Sequence, residues 1–320
     1  MANLPLTIAC GPYDRMEGIR SGAVAIEGID ATTIAIESPP AMFTRMIQGN
    51  EFDVSEMSLT TFMSARSRGE FPFVGIPVFP SRVFRHGFIY VNTRAGIAKP
   101  RDLEGRRIGV QGYRQTAAVW IRGMLRDDFG VDFSGVRWVD GGGSQAGRPI
   151  PGLQLEQAAG AGALSEMLAR AEIDALVAAG RPPALGKSPE VARLFPNYRQ
   201  VEREYYLRTG IFPIMHTMVI REGLYRDEPW IAASLFKAFE ASKRLALGSL
   251  RFSGALRIML PWLYDDIDEI DRLFGGDPFP SGLEPNRSAL QTLARYLLEE
   301  RMVDRPIDID AIFLPMAAAR

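Results

Sequence analysis

The sequence predicts an α/β fold in which two successive series of strands and helices precede a helical C-terminal region. Short apolar or β-branched runs alternate with helical stretches over residues 4–78, and the alternation resumes over residues 107–178. Beyond residue 220 the strand-like runs end, and three long amphipathic stretches follow. Together these observations predict two α/β lobes with C-terminal helices.

The first series contains four runs that we expect to form buried strands, because each is apolar or β-branched and is bounded by turn residues. They cover residues 4–10, 32–36, 52–54 and 74–78. The two helices between them cover residues 40–48 and 60–67. The first of these begins with a proline, which suits the first helical turn, and both end shortly before a glycine.

The second series and the C-terminal region follow the same reasoning. We expect strands at residues 107–110, 136–139 and 174–178, and helices at residues 115–129 and 164–171. The three long amphipathic helices are expected at residues 228–247, 254–273 and 287–302.

Two short β-like runs, residues 88–92 and 216–220, join one region to the next and predict a discontinuous domain. Lobe 1 is then residues 1–90 plus 220–320, lobe 2 is residues 91–219, and a central cleft lies between them. We expect the ligand in this cleft, because ligand sites favour domain interfaces and the carboxyl ends of strands.

Composition and charge exclude several functional classes. The 320 residues include 37 basic and 38 acidic side chains, so the chain lacks the positive excess of a nucleic acid-binding protein. The apolar runs are too short to span a bilayer, and the single cysteine, Cys10, allows no internal disulfide. The N-terminal run meets Tyr13-Asp14-Arg15 instead of continuing as a signal peptide. We therefore expect a cytoplasmic protein without nucleic acid or membrane partners, whose C-terminal helices could supply a homo-oligomer surface.

Several segments carry a resemblance to known proteins. Residues 100–110, Pro-Arg-Asp-Leu-Glu-Gly-Arg-Arg-Ile-Gly-Val, resemble the entry into the second lobe of type II periplasmic-binding-protein folds. Four further segments resemble the 4,5-dihydroxyphthalate decarboxylase family: EFDVSEMSL at 51–59, IPVFPSRVFRH at 76–86, TAAVWIRG at 116–123 and FPIMH at 212–216. The glycine-rich stretch 141–162 departs from the family pattern.

The resemblance covers most of the chain and implies a two-lobed, type II periplasmic-binding-protein-like fold that acts as a carboxy-lyase. The implied reaction is decarboxylation of a hydroxylated aromatic acid, 4,5-dihydroxyphthalate to protocatechuate. One alternative is a solute-binding protein for a small organic or aromatic acid, with the same binding groups and no catalysis. Another is an enzyme or sensor of the same fold that takes a different small acid.

The implied chemistry defines the groups that the site needs. Direct loss of CO2 from an aromatic ring would leave an aryl carbanion whose lone pair lies in the ring plane. Deprotonation of a para hydroxyl avoids this species, because electron density then reaches the carboxyl-bearing carbon, which is protonated before CO2 departs. The site therefore needs a base, a proton donor and a cation for the retained carboxylate, and no organic cofactor.

The chain has two histidines, His86 and His216, and each lies beside one of the two proposed crossover segments. Histidine titrates nearest neutrality, so either could act as the phenol base or the ring-carbon acid. Arg82 and Arg85 flank His86, and arginine presents a planar fork that suits carboxylates. In an extended segment Arg82 shares a face with His86, so Arg82 is the favoured carboxylate anchor and Arg85 either a second one or a salt-bridge partner.

The remaining candidates are polar residues near the carboxyl ends of predicted strands, where ligand groups collect. Glu56 is a candidate catalytic group, and Ser58 either binds substrate or caps the following helix. The other predicted substrate-binding residues are Tyr13, Tyr113, Gln115 and Thr116, with Arg122 and Arg148 as weaker candidates.

We predict no resident metal or cofactor, although a divalent metal is not excluded, because His86, His216 and Glu56 form a two-histidine, one-carboxylate set. No local metal-binding spacing supports that set. The Gly-x-Gly-x-x-Ala pattern at residues 141–146 is not a dinucleotide loop, because Pro149 and Pro151 prevent the helix that must follow it.

Overall fold

The computed structural model describes residues 3–143, 149–252, 254 and 256–316. Within these ranges the strands are β1 (Leu4–Cys10), β2 (Ile29–Ala35), β3 (Val54–Ser58), β4 (Phe73–Arg82), β5 (Ile89–Asn92), β6 (Arg107–Val110), β7 (Arg137–Asp140), β8 (Leu155–Gln157), β9 (Ala175–Val177), β10 (Val191–Arg193) and β11 (Ile214–Arg221). The helices are α1 (Glu17–Arg20), α2 (Pro39–Gly49), α3 (Leu59–Ser67), α4 (Thr116–Phe129), α5 (Ala163–Ala169), α6 (Tyr198–Thr209), α7 (Glu222–Asp227), α8 (Ile231–Leu250), α9 (Leu263–Phe274), α10 (Arg287–Glu299) and α11 (Ile309–Ile312).

The predicted α/β class with C-terminal helices is confirmed, and two differences in its elements have physical explanations. The helix expected over residues 254–273 is restricted to α9, because Pro261 lacks an amide donor and disfavours helix in the residue before it. Helix α6 was not predicted at all. Its sequence, YRQVEREYYLRT, is strongly polar and buries just Glu202 and Tyr205, so it lacks the apolar stripe that identifies a helix.

The described chain divides into two compact units. One contains Met1–Arg82, His216–Leu290 and Asp308–Arg320, and the other contains Val83–Met215 and Gln291–Ile307. The divisions therefore differ from the expected ones at residues 90 and 220, and the segment 291–307 is grouped with the second unit.

The first unit contains a five-stranded sheet of order β2-β1-β3-β11-β4. Strand β1 is parallel to β2 and β3, whereas β11 is antiparallel to β3. The carboxyl end of β3 therefore lies beside the start of β11. Apolar side chains of β1, β4 and α8 form a core on this sheet, including Ile8, Ile76, Leu235 and Phe239.

The second unit contains a six-stranded sheet of order β10-β5-β9-β6-β7-β8. Strand β6 is parallel to β7 and β9, and β5 is antiparallel to both β9 and β10. Segment 291–307 joins this unit because α10 packs on α4: Trp120 and Tyr296 meet edge to face at 5.7 Å. Among the described residues, no helix is both long and apolar enough to cross a membrane.

Candidate active site

The first sheet brings polar residues together where β3 ends and β11 begins. Ser58 pairs with His216 in the antiparallel ladder, and Glu56 lies two residues before Ser58, so all three side chains share one face of the sheet. The parallel register of β1 and β3 places Cys10 beside Glu56 on that face. Residues that are far apart in sequence therefore lie together where the carboxyl end of β3 meets the start of β11.

Glu56 is fully buried and is the centre of this cluster. Its Oε1 accepts hydrogen bonds from His216 Nδ1 at 2.5 Å and from the Tyr13 hydroxyl at 2.8 Å. Its Oε2 accepts from the Gly11 amide at 2.8 Å and from the Cys10 thiol at 3.3 Å. Four donors thus surround a carboxylate that water does not reach, which satisfies its hydrogen-bonding capacity.

The cluster fixes the protonation of its members. Burial alone would raise the pKa of Glu56, but the charge and hydrogen bond of His216, with the bonds from Gly11 and Tyr13, bring that pKa below its usual value. Burial, followed by the negative charge of Glu56, raises the pKa of both Tyr13 and Cys10. Glu56 is therefore an ionised acceptor, and Tyr13 and Cys10 remain protonated donors.

This arrangement also orients the His216 ring. Because Nδ1 donates to Glu56, the neutral ring carries its proton on Nδ1, and the Nε2 lone pair is available to another group. The side chain is 16% exposed, and Nε2 makes no hydrogen bond within the described residues. Phe43 of α2 packs edge-on against the ring at a centroid distance of 5.0 Å. The His216 imidazole is therefore held in one orientation, and its Nε2 edge is available for reaction.

Tyr13 reaches Glu56 because residue 11 is a glycine. A Cβ at Gly11 would lie 2.7 Å from two carbons of the Tyr13 ring, closer than real Cβ contacts allow. The absence of a side chain therefore lets the ring lie across the end of β1, where its hydroxyl bonds the carboxylate.

The structure corrects the sequence-based placement of Glu56 and Ser58. Glu56 lies within β3 rather than after it. Ser58 is the N-cap of α3, because its hydroxyl accepts a hydrogen bond from the Thr61 amide at 3.5 Å. The capping alternative is therefore observed, and substrate binding by Ser58 stays a prediction.

Arg82 and Arg85 do not follow the expected alternation, because β4 ends at Arg82 and a 3₁₀ turn begins at His86. Arg82 belongs to the first unit and donates to the Asn286 side chain and, at 3.0 Å, to the Pro280 carbonyl. Arg85 belongs to the second unit and donates to the Ala179 carbonyl at 2.9 Å. Both side chains are buried.

His86 lies in the second unit, where its ring is 1% exposed and packs against Phe195 and Tyr205. Burial, with a smaller effect of the Arg208 charge, lowers its pKa to about 4, so the ring is neutral at pH 7. Neither ring nitrogen has a hydrogen-bond partner within the described residues. These surroundings are those of a buried aromatic contact, and a proton-transfer role for His86 stays a prediction.

Tyr113, Gln115 and Thr116 lie at the start of α4 in the second unit. The Tyr113 ring stacks under the Arg122 guanidinium at 3.8 Å, and Gln115 donates to the Gly143 carbonyl at 3.5 Å. Arg122 itself forms a buried ion pair with Glu300. Their roles in substrate binding remain predictions, and Arg148 lies outside the described residues.

The candidate metal set is not assembled. Across residues 3–143, 149–252, 254 and 256–316, no group of three or more His, Cys, Asp or Glu side chains is arranged to hold a metal ion. Glu56 and His216 are in contact, whereas His86 belongs to the other unit.

Two residues that contact the site around Glu56 were missed in the sequence analysis. Cys10 was given no role in the predicted site, yet its thiol donates to Glu56. Arg15 was quoted as a polar residue after the first strand, yet its guanidinium stacks on Tyr13 at 4.1 Å. The available signal was their position at the end of β1, where the sequence had already placed Tyr13.

Comparison with solved structures defines the fold class. The chain is similar to the periplasmic aliphatic sulphonate-binding protein SsuA of Escherichia coli, with a TM-score of 0.57 and 13% identity over 98% of this chain and 97% of that one. The alkanesulfonate-binding SsuA of Xanthomonas axonopodis pv. citri gives a TM-score of 0.56 and 11% identity over 99% and 100%. Residues 25–168 match the NMT1/THI5-like family. The protein therefore has a type II periplasmic-binding-protein-like fold.

Sequence comparison defines the family within that class. The chain is 37% identical over 323 residues to the 4,5-dihydroxyphthalate decarboxylase of Comamonas testosteroni, with 98% of each chain covered. It is 35% identical over 214 residues to the enzyme of the same name from Pseudomonas putida, covering 64% of this chain and 83% of that one. This chain belongs to the 4,5-dihydroxyphthalate decarboxylase family.

Proposed function

We propose that this protein converts 4,5-dihydroxyphthalate to protocatechuate and CO2, and that the Glu56–His216 pair carries the proton transfer. Family membership supports the reaction, and the 2.5 Å contact between the two side chains is the observation that supports the site. In the substrate, each hydroxyl is para to one of the two carboxyl groups, as the route through a ring-protonated intermediate requires.

His216 takes the phenolic proton on Nε2. The imidazolium that forms is held by the ionised Glu56, which is the arrangement by which a buried carboxylate orients a histidine and stabilises its cation. The electron pair of the departing phenolic O–H bond moves into the ring, and the carboxyl-bearing carbon takes up a proton from water. The bond from that carbon to the carboxyl group then breaks and CO2 leaves. The electron pair of that bond returns through the ring to the phenolic oxygen, which regains its proton from His216, and the ring regains aromaticity.

Tyr13, Cys10 and the Gly11 amide keep Glu56 ionised and oriented. Their hydrogen bonds favour the carboxylate over the carboxylic acid, so the proton stays on His216 and does not pass to Glu56. We assign these groups to positioning, because each is already bonded to Glu56. His86 is the second histidine of the sequence prediction; its low pKa and apolar surroundings favour a structural role.

The test is turnover by purified protein after treatment with a chelator, with CO2 release and ring absorbance followed during incubation with 4,5-dihydroxyphthalate. The proposal expects CO2 and protocatechuate in equal amounts without added metal. A requirement for added divalent metal would replace the proton-transfer mechanism by one that includes a metal. Saturable binding of 4,5-dihydroxyphthalate without turnover under both conditions would favour a binding protein of the fold shared with SsuA.

A further inference from the structure

Arg15 is a cation held in a fixed plane beside the Glu56 site. Its guanidinium carbon lies 4.1 Å from the ring centroid of Tyr13 and 4.3 Å from that of Phe279, so both aromatic rings pack against the group. Its Nε donates to the Pro80 carbonyl at 2.5 Å. The side chain therefore has little rotational freedom left to lose when it binds a ligand.

One edge of this guanidinium is available. Nη1 donates to the Asp14 carboxylate at 3.0 Å, whereas Nη2 makes no hydrogen bond within the described residues. The Arg15 side chain is 18% exposed, and that of Asp14 is 57% exposed. An ion pair with so exposed a partner is weak, so Asp14 is a partner that a ligand carboxylate can displace.

Phe279, the second of the two rings that pack against Arg15, is fixed in place by buried groups. The Lys243 side chain is 7% exposed, and its ammonium group donates to the Phe279 carbonyl at 2.9 Å. It also pairs with Asp277 at 2.7 Å and Glu240 at 2.9 Å. The loop that carries Phe279 is therefore anchored to α8, and Arg82 bonds the same loop at Pro280. The position of Arg15 is thus built into the first unit.

Tyr13 connects Arg15 to the proposed chemistry. One face of its ring meets the guanidinium, while its hydroxyl bonds Glu56. The positive charge of Arg15 also opposes the rise in the pKa of Cys10, which places Arg15 within electrostatic range of the cluster. A dianionic ligand near the ionised Glu56 needs a compensating cation, and Arg15 has a free pair of donors at that position.

We propose that Arg15 binds the carboxylate that the substrate retains, and so selects aromatic dicarboxylates over monocarboxylates. This proposal rests on the proposed function, in which one of two adjacent carboxyl groups leaves and the other stays. It assigns Arg82 to the loop at Pro280 and Asn286 instead of to the substrate. The interaction is a charge-assisted hydrogen bond from Nη2, with Nη1 added when Asp14 is displaced.

The experiment measures dissociation constants for phthalate and benzoate, which lack the hydroxyl groups that the reaction needs. Arg15→Gln should weaken phthalate binding by roughly 10- to 100-fold and benzoate binding by no more than about threefold. Asp14→Asn should strengthen phthalate binding, because it removes the competing carboxylate without disturbing the packing of Arg15 against Tyr13 and Phe279. Arg68→Gln is the matched control, since Arg68 pairs with Glu70 on the surface and should leave both constants unchanged.

The outcomes separate this proposal from the proposed function. Equal phthalate affinity in wild type and Arg15→Gln, with wild-type turnover of 4,5-dihydroxyphthalate, overturns the role of Arg15 alone. Loss of phthalate affinity in Arg15→Gln without any wild-type turnover supports Arg15 and overturns the decarboxylase activity. Absence of wild-type binding to both phthalate and 4,5-dihydroxyphthalate overturns both. If Arg15→Gln does not fold, the Asp14→Asn measurement decides, and unchanged or weaker phthalate binding there overturns the proposal.

Discussion

At the scale of single residues, the proposed proton transfer depends on how tightly Glu56 is surrounded. A buried carboxylate without partners would take up a proton, but here four donors keep it ionised. The cost of its burial is therefore offset by contacts that also hold His216 in one tautomer. A change that moves one donor should alter catalysis before it alters the fold.

Gly11 provides such a change. We expect Gly11→Ala to lower kcat/KM by at least about tenfold, because the new Cβ would lie 2.7 Å from the Tyr13 ring and displace its hydroxyl from Glu56. Steady-state kinetics on the purified variant measure the effect. Gly49→Ala is the control, since the nearest atom to its new Cβ is 3.9 Å away, and it should keep wild-type kinetics. Wild-type kinetics for Gly11→Ala would show that the position of Tyr13 does not matter.

Glu202 gives a prediction about pH. Burial raises its pKa to about 7 in the folded protein, although hydrogen bonds from the Gly87 and His86 amides oppose the rise. Its protonated form is thus favoured by folding, and the stability it contributes is present below the usual carboxyl pKa and lost as pH rises through 7. Glu202→Gln removes this titration and keeps an acceptor for Gly87.

We therefore expect the melting temperature of Glu202→Gln, relative to wild type, to increase by at least roughly 2 °C between pH 5 and pH 8. His86 has the opposite dependence, because its pKa is lowered to about 4 and its neutral form is favoured by folding. The pH dependence from His86 is present in both wild type and Glu202→Gln, so it cancels in the difference between their melting temperatures. Thermal unfolding at several pH values measures it, and a pH-independent difference would contradict the raised pKa.

At the scale of elements, an ion pair fastens α10 to α4 in the second unit. The side chains of Arg122 and Glu300 are 2% and 7% exposed, and Arg122 Nε donates to Glu300 at 3.0 Å. Breaking one side of a buried pair leaves the other charge without a partner, which costs more than the pair itself contributes.

We predict that Arg122→Met destabilises the protein by about 3–5 kcal/mol, whereas the double variant Arg122→Met, Glu300→Met recovers a large part of that loss. Chemical denaturation of the single and double variants provides the comparison. If both single and double variants lose the same stability, the cost comes from lost packing of Arg122 on Tyr113 and not from an unpaired Glu300.

The strands and helices also differ in how well they could be located from the sequence. Strands β1 and β6 were located to the residue, because both are apolar runs bounded by turn residues. The polar helix α6 and the short strands β8 and β10 were missed, since neither apolar periodicity nor length marks them.

The site was predictable by residue type and less so by arrangement. Glu56 and Tyr13 were expected near the carboxyl ends of strands and His216 beside a crossover segment, and Glu56 contacts both of the others. The contact between Glu56 and His216 depends on the antiparallel register of β3 and β11, which a single sequence does not specify. Cys10 was missed because its contact depends on the parallel register of β1 and β3, and Arg15 was missed because one of its two ring contacts comes from a distant loop.

At the scale of the whole molecule, the fold supplies binding groups and the chemistry comes from a few residues added to it. The chain shares its fold with two SsuA proteins at 11–13% identity and its family with the decarboxylases. Binding a dicarboxylate to the folded state alone must stabilise it by mass action. We expect phthalate at 100 times its wild-type dissociation constant to raise the melting temperature of the wild type by several degrees, which thermal unfolding with and without phthalate measures. At the same phthalate concentration Arg15→Gln should lose roughly half of this shift or more.

The most direct test compares His216→Ala with His86→Leu for CO2 release from 4,5-dihydroxyphthalate, with melting temperature and phthalate affinity measured on the same preparations. We predict that His216→Ala loses at least about 100-fold in kcat while it stays folded and binds phthalate within about threefold of wild type. His86→Leu should keep kcat within about threefold. Wild-type kcat in a folded His216→Ala protein would contradict the assignment of proton transfer to the Glu56–His216 pair.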